Sequence, residues 1–157
     1  MYRLGIDALD VKLLDILQHE AALPVAEVAA RVRQSTTTCW RRIQQLEQGG
    51  VIRKRVALLD RAALGLDVTI FAHVKLATTG RDAIATFEAA IRERSEVLEC
   101  YTVTGEWDFL LKIITRNIKA FEAFYLDYLS RIPCVQSVNS SVAVTVIKES
   151  TALPLGA

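Results

Sequence analysis

Seven cations crowd the stretch from Arg31 to Arg55: Arg31, Arg33, Arg41, Arg42, Arg53, Lys54 and Arg55, with Glu47 the one acid among them. Guanidinium and ammonium groups at that density suit the phosphates of a nucleic acid. Bond-breaking chemistry has less to work with. His19 and His73 are the only histidines, and no nucleophile–base pair, metal-ligand spacing or phosphate-binding loop accompanies them. No catalytic residue, metal site or cofactor is therefore expected. Cys39, Cys100 and Cys134 are odd in number and far apart, which fits neither a disulfide framework nor a zinc site and points to a reducing cytosol.

The frame around these cations explains their use. Asp7 suits the N-cap of a first helix with Asp10 in its first turn, and Leu9, Leu13, Ile16 and Leu17 make one apolar stripe. Pro24 opens a second helix whose inner face is Val25, Val28, Ala29 and Val32. Ser35 or Thr36 caps a third, with Cys39, Ile43 and Leu46 turned inward and Gly49-Gly50 as its stop. Val51–Leu59 then reads as a basic wing strand. This is the footprint of a DNA-binding helix-turn-helix.

Charge divides the chain in the same place. Residues 1–59 hold nine Lys/Arg against six Asp/Glu, whereas the remainder holds ten against twelve, so a basic part precedes a mildly acidic one. From Val68 the pattern shifts to strands over Val68–Leu76, Val97–Thr104, Phe109–Ile114 and Val135–Lys148. Helices over Asp82–Arg94 and Ile118–Ser130 alternate with them. The order β-α-β-β-α-β is the ferredoxin-like split motif. The fold class is α+β, with a winged helix-turn-helix over 1–52, a wing strand and linker over 53–67, and a ferredoxin-like domain over 68–157. Phe109–Ile114 and most of Ile70–Ala77 are apolar on both faces, which predicts a homodimer packed sheet to sheet. The N-terminus has no apolar signal core and no run spans a bilayer, so a cytoplasmic protein with no membrane partner is expected.

Several ordered motifs carry a family pattern: Asp7-Ala-Leu-Asp10, Cys39-Trp-Arg-Arg42-Ile43, Leu46-Glu47, Gly50-Val-Ile52, Ala57-Leu-Leu-Asp60, Leu64-Gly65, Glu99-Cys100, Thr104-Gly-Glu-Trp-Asp108-Phe109, and Ile132-Pro133. Over nearly its whole length the chain resembles the Lrp/AsnC (feast/famine) transcription regulators. The resemblance implies a DNA-binding domain, a ligand-sensing domain, small effectors that are usually amino acids, and dimers that assemble to tetramers or octamers. Two positions depart from the pattern. Arg33 stands where the family has glycine in the turn, so the turn is wound differently or accepts strain. Thr36, Thr37 and Thr38 replace prolines early in the third helix.

Helical spacing places Thr37, Arg41, Gln44 and Gln48 opposite the buried face, with Thr38 and Arg42 on one flank and Thr36 and Trp40 on the other. Thr37, Thr38 and Arg41 are the base-reading candidates. Ser35, Arg42, Arg53 and Lys54 are the phosphate contacts. Trp40 either packs on helix one or stacks on the sugar-phosphate backbone. The resemblance also implies an effector pocket around Gly105–Asp108 at a contact between dimers. There backbone N–H groups of Thr104 and Gly105 suit a carboxylate, and Asp108 suits an ammonium or else caps the turn. Tyr101, Val103, Trp107, Ser140 and Ser141 are the further pocket candidates. A sirohaem-decarboxylase-like enzyme of the same architecture is the alternative, and it would need histidines around a large tetrapyrrole.

Overall fold

The computed structural model describes residues 5–155, and the chain divides into two compact units. Residues 59–147 form one. Residues up to 58 form the other, together with the segment from 148 onward.

The first unit is three helices, α1 (Ala8–His19), α2 (Val25–Val32) and α3 (Thr36–Gln48). Asp7 caps α1 through a reciprocal box: its carboxylate accepts from the Leu9 and Asp10 N–H groups, and the Asp10 carboxylate accepts from the Asp7 N–H. Ser35, not Thr36, caps α3, its Oγ accepting from the Thr38 N–H at 3.1 Å. Leu13, Leu17, Val28, Ala29, Cys39 and Ile43 make the core, with Leu9, Ile16, Val25, Val32 and Ile52 packed around it. Burial pushes the Cys39 thiol up, in keeping with a core-filling role.

Helices α2 and α3 end alike. After α3 the Val51 N–H reaches back to Leu46 O and the Gly50 N–H to Glu47 O, around Gly50 at φ +71°. After α2 the Gln34 N–H reaches Ala29 O and the Arg33 N–H reaches Ala30 O, around Arg33 at φ +54°. Both are paired-bond caps of the kind glycine favours, but the one after α2 uses an arginine. Arg33 is the one non-glycine residue with positive φ among the described residues. The turn keeps the glycine geometry and bears the strain.

No wing strand forms. Residues 53–60 run as irregular, exposed chain, because a strand needs a hydrogen-bonded neighbour and none of the described residues offers one here.

The second unit is a four-stranded antiparallel sheet in the order β2-β3-β1-β4, from β1 (Val68–Leu76), β2 (Val97–Thr102), β3 (Phe109–Thr115) and β4 (Val135–Val142). Helices α4 (Arg81–Arg92) and α5 (Ile118–Asp127), followed by a 3-10 turn at Leu129–Arg131, complete the split motif. Period-two alternation puts Ile70, Ala72, Val74, Phe109, Leu111 and Ile113 on one side, where Phe87, Ile91, Phe124 and Leu129 cover them. Phe87 and Phe109 meet at 4.5 Å between ring centres.

The opposite face is more mixed than expected from the strands read singly. Phe71 and Leu110 lie there, but so do His73, Lys75 and Lys112. The last strand is also shorter than expected, ending at Val142 where the final ladder bond, Ala143 N–H to Thr69 O, is made. The residues from 148 onward group with the three helices instead of the domain expected to span 68–157.

Candidate nucleic-acid interface and effector region

Ion pairing sorts the cationic cluster into two groups. Arg31 is paired with Glu20, and Arg55 with Glu47 at 3.0 Å while also donating to Ala21 O. Arg42 is bound to Asp7 at 2.9 Å and Asp10 at 3.3 Å. Among the described residues Arg33, Arg41, Arg53 and Lys54 have no carboxylate within ion-pair distance. These four are the cluster's cations without an ion-pair partner among the described residues.

Arg42 thus does something the sequence reading missed. Asp10 is buried, 5 % exposed, with Oδ1 unpaired, so its charge depends on the Arg42 guanidinium and the Asp7 N–H. The pair ties α3 to the start of α1 and fixes the recognition helix on its support. A signal existed: Asp10 is three and seven residues before Leu13 and Leu17, on the apolar stripe, where a carboxylate needs a partner. Backbone donation from Asp10 and then from Leu9, with the Arg42 charge behind them, holds the Asp7 carboxyl below the usual carboxylate range.

The rest of the reading face is open. Thr36, Thr37 and Arg41 are exposed on α3, and Trp40 is 56 % exposed, not packed into the helical core. Thr38 is half-buried with its hydroxyl 2.8 Å from that of Ser35. Gln44 donates to Glu47 at 3.0 Å. Arg53 and Lys54 follow the helix on exposed chain.

The second set of candidates is dispersed. Gly105 takes φ +116° in the turn between β2 and β3, a backbone shape that favours glycine. Asp108 is engaged: Oδ2 accepts from the Leu76 N–H at 2.8 Å and Oδ1 lies 3.4 Å from Lys75 Nζ. Trp107 lies against His73, 5.9 Å between ring centres. The Tyr101 hydroxyl donates to Glu99 at 2.7 Å, and this bond, with Lys112 behind it, holds Glu99 below the usual carboxylate range. Tyr101 pairs with Leu110, and Leu110 with His73, so Tyr101 and Trp107 share the helix-free side. Val103 and Thr104 lead from β2 into the turn, Val103 donating to Asp108 O.

Ser140 and Ser141 stand apart from this group. They lie on β4 at the far edge, opposite Ala72 and Phe71, and so point to different faces. Three strand spacings separate β4 from β2, about 14 Å.

Among the described residues no cluster of histidines, cysteines and acids is arranged for a metal, and no helix is long and apolar enough to cross a membrane.

Comparison with known proteins accounts for both units. Residues 6–47 match the AsnC-type helix-turn-helix domain, and residues 69–153 match the Lrp/AsnC ligand binding domain. A glutamate uptake regulatory protein of Zymomonas mobilis is 37% identical, over 96% of this chain and 91% of its own length. An AsnC family transcriptional regulator from Agrobacterium tumefaciens is 42% identical with a TM-score of 0.91, the match covering 95% of this chain and 97% of that one. A transcriptional regulator from Neisseria meningitidis, solved in complex with L-methionine, is 37% identical with a TM-score of 0.92, covering 96% and 97%. Two family domains in the order of the two folded units, matched by relatives along almost all their length, leave one assignment: the chain belongs to the Lrp/AsnC family of transcription regulators.

Proposed function

We propose that this regulator reads a two-part DNA site as a homodimer and that an amino acid adjusts its grip. The observation that carries the DNA-reading part is the exposed, uncommitted row Thr36, Thr37 and Arg41 at the start of α3, joined in the same unit by Arg53 and Lys54, which have no carboxylate within ion-pair distance among the described residues. Arg41 suits a bidentate contact with guanine and a threonine methyl suits thymine. Arg53 and Lys54 hold phosphates and set register. Thr38 and Ser35 shape the helix start, and Arg42 positions the helix through Asp10. Gln44 and Trp40 complete the face, Trp40 on the sugar-phosphate side.

The effector reading rests on chemistry and on a relative solved with L-methionine. The Thr104–Gly105 backbone receives the carboxylate. Asp108 receives the ammonium, which has to compete with Lys75 at 3.4 Å. Tyr101, Val103 and Trp107 form the wall. Ser141 contributes from another copy, because it lies at the opposite sheet edge on the helix-free side, whereas Ser140 turns to the other face. Binding would then favour an assembly, through dimers to tetramers or octamers, and change how many recognition helices engage together.

Light scattering and duplex binding, each with and without the protein amino acids beginning with L-methionine, test this. The reading expects at least one amino acid to shift both assembly and DNA affinity. If none shifts either, the sensing role fails while the DNA-reading role stands.

A further inference from the structure

The helical unit bears a groove of about 900 Å³ floored by Leu14, Leu17 and Leu23 and walled by Val56 and Leu58. Arg53 and Lys54 also line it, and a segment from far along the chain adds Thr151, Leu153 and Leu155. The contact is specific. Gln18 Nε2 donates to the Leu153 carbonyl at 3.1 Å, and the Leu153 N–H donates back to Gln18 Oε1 at 2.8 Å. One side-chain amide therefore satisfies both backbone groups of one residue, as a neighbouring strand would. Ala152 donates to Ser150 Oγ and shapes the approach.

The stretch before it is bare. After β4 ends, Val144 is 97% exposed and Ile147 is 91% exposed. The chain thus leaves the sheet, crosses several residues with little burial, and is hydrogen-bonded again to α1 at Leu153. Leu153 itself is 67% exposed, so the hold is through its backbone and not its side chain.

We infer that the groove beside Gln18 is a docking surface for this chain's own segment at 151–155, which acts as a strap and gives the DNA-binding unit a second, non-covalently held tether. The first connection is the chain at 58–59, and the second is the chain at 147–148. A unit closed at two points loses freedom that one linker would leave it. In a dimer that loss raises the effective concentration of the second recognition helix once the first is bound. Nothing in the assignment of α3 as the reading element requires this strap.

Amide exchange on the full chain, on Gln18→Ala, on Leu153→Ala and on a chain ending at Ile147 tests the docking. The Leu153 N–H should be protected in the full chain. Gln18→Ala should cost about tenfold of that protection, the effect of two exposed hydrogen bonds, and Leu153→Ala should cost almost none. Affinity for a duplex enriched by the full chain from a random pool gives the second readout. It should weaken about threefold or more in Gln18→Ala and in the shortened chain alike, with no change in α3 exchange. An unprotected Leu153 N–H in the full chain overturns the docking, and equal affinity in full and shortened chains overturns the tether. If α3 exchange rises in Gln18→Ala, the residue merely supports the fold and the strap is overturned as a tether.

Discussion

The proposed DNA-reading face and the proposed effector region differ in how much of each a single copy holds. The first is carried by one helix, its cap and the chain just after it: Ser35, Thr37, Arg41, Arg53 and Lys54 follow in sequence, and Arg42 fixes the helix within the same unit. The second is spread over a sheet. Tyr101 and the Gly105 turn lie at one edge and Ser141 at the other, with β3 and β1 between them. A helix collects residues that are close in sequence onto one face. A sheet separates them according to strand order. On the proposed reading, the first site is complete before assembly, and the second becomes complete only through it.

The largest effect expected is at Arg42. Removing it leaves Asp10 buried with a charge and no cation, which costs about 3 kcal/mol. Arg42→Ala should lower the thermal midpoint of the helical unit sharply while leaving the salt slope of DNA binding unchanged. A stable variant whose slope falls by about one would make Arg42 a phosphate contact and not a brace. The same corner gives an acid limit. The folded Asp7 carboxyl lies below its ordinary value, so its contribution is complete above about pH 4 and is lost as pH falls through the lower folded value. Arg42→Ala should flatten part of that loss in an acid titration followed by circular dichroism.

Complementation addresses the divided site. Tyr101→Ala and Ser141→Val should each weaken the effector's action on DNA by about tenfold, since each removes one side of the pocket (a loss of about 1.4 kcal/mol). Mixed in equal amounts, the two variants should recover part of the response, because an intact Tyr101 edge can then face an intact Ser141 edge. No recovery on mixing would place the whole pocket within one copy.

Arg41 and Lys54 separate the roles inside the complete site. Arg41→Ala should cost about 1–3 kcal/mol on the preferred duplex and little on a random one. Lys54→Ala should weaken both evenly and lower the salt slope by about one. Anisotropy titrations at several salt concentrations distinguish the two, and identical profiles would end the division into base reader and phosphate contact.

Legibility followed the same contrast. The helices were readable because stripe, cap and stop are local: Asp7, Ser35 and Gly49-Gly50 stand where α1 and α3 begin and end. The strands were readable as runs, and Val68–Leu76 kept its bounds. Features that depend on distant neighbours were not. Val51–Leu59 has strand-like residues but no strand partner among the described residues, and Val144–Lys148 leaves the ladder near the start of β1. Residue types also could not show that Arg42 is spoken for by Asp10, nor that Ser140 and Ser141 face opposite ways. Gln18 gave no signal at all, since its partner is a backbone 135 residues away.

The smallest effect concerns the turn that carries the complete site. Arg33 occupies the left-handed position that Gly50 occupies after α3, with the same pair of hydrogen bonds around it. A side chain there costs roughly 1–2 kcal/mol, and glycine would return about 0.5–1 kcal/mol of that to the unfolded chain as entropy. Arg33→Gly should therefore stabilise the helical unit by roughly 0.5–1 kcal/mol, a rise of several degrees in its midpoint. Because the strain lies within one copy, the gain should not vary with protein concentration, whereas the effect of Tyr101→Ala on the response should. DNA affinity supplies the other half of the comparison. Arg33 is exposed and has no carboxylate within ion-pair distance among the described residues, so if its charge contributes to the grip, the stabler variant binds more weakly and with a shallower salt slope. An unchanged midpoint would mean that the turn holds its arginine without strain, and an unchanged slope would leave Arg41, Arg53 and Lys54 as the cations that meet DNA.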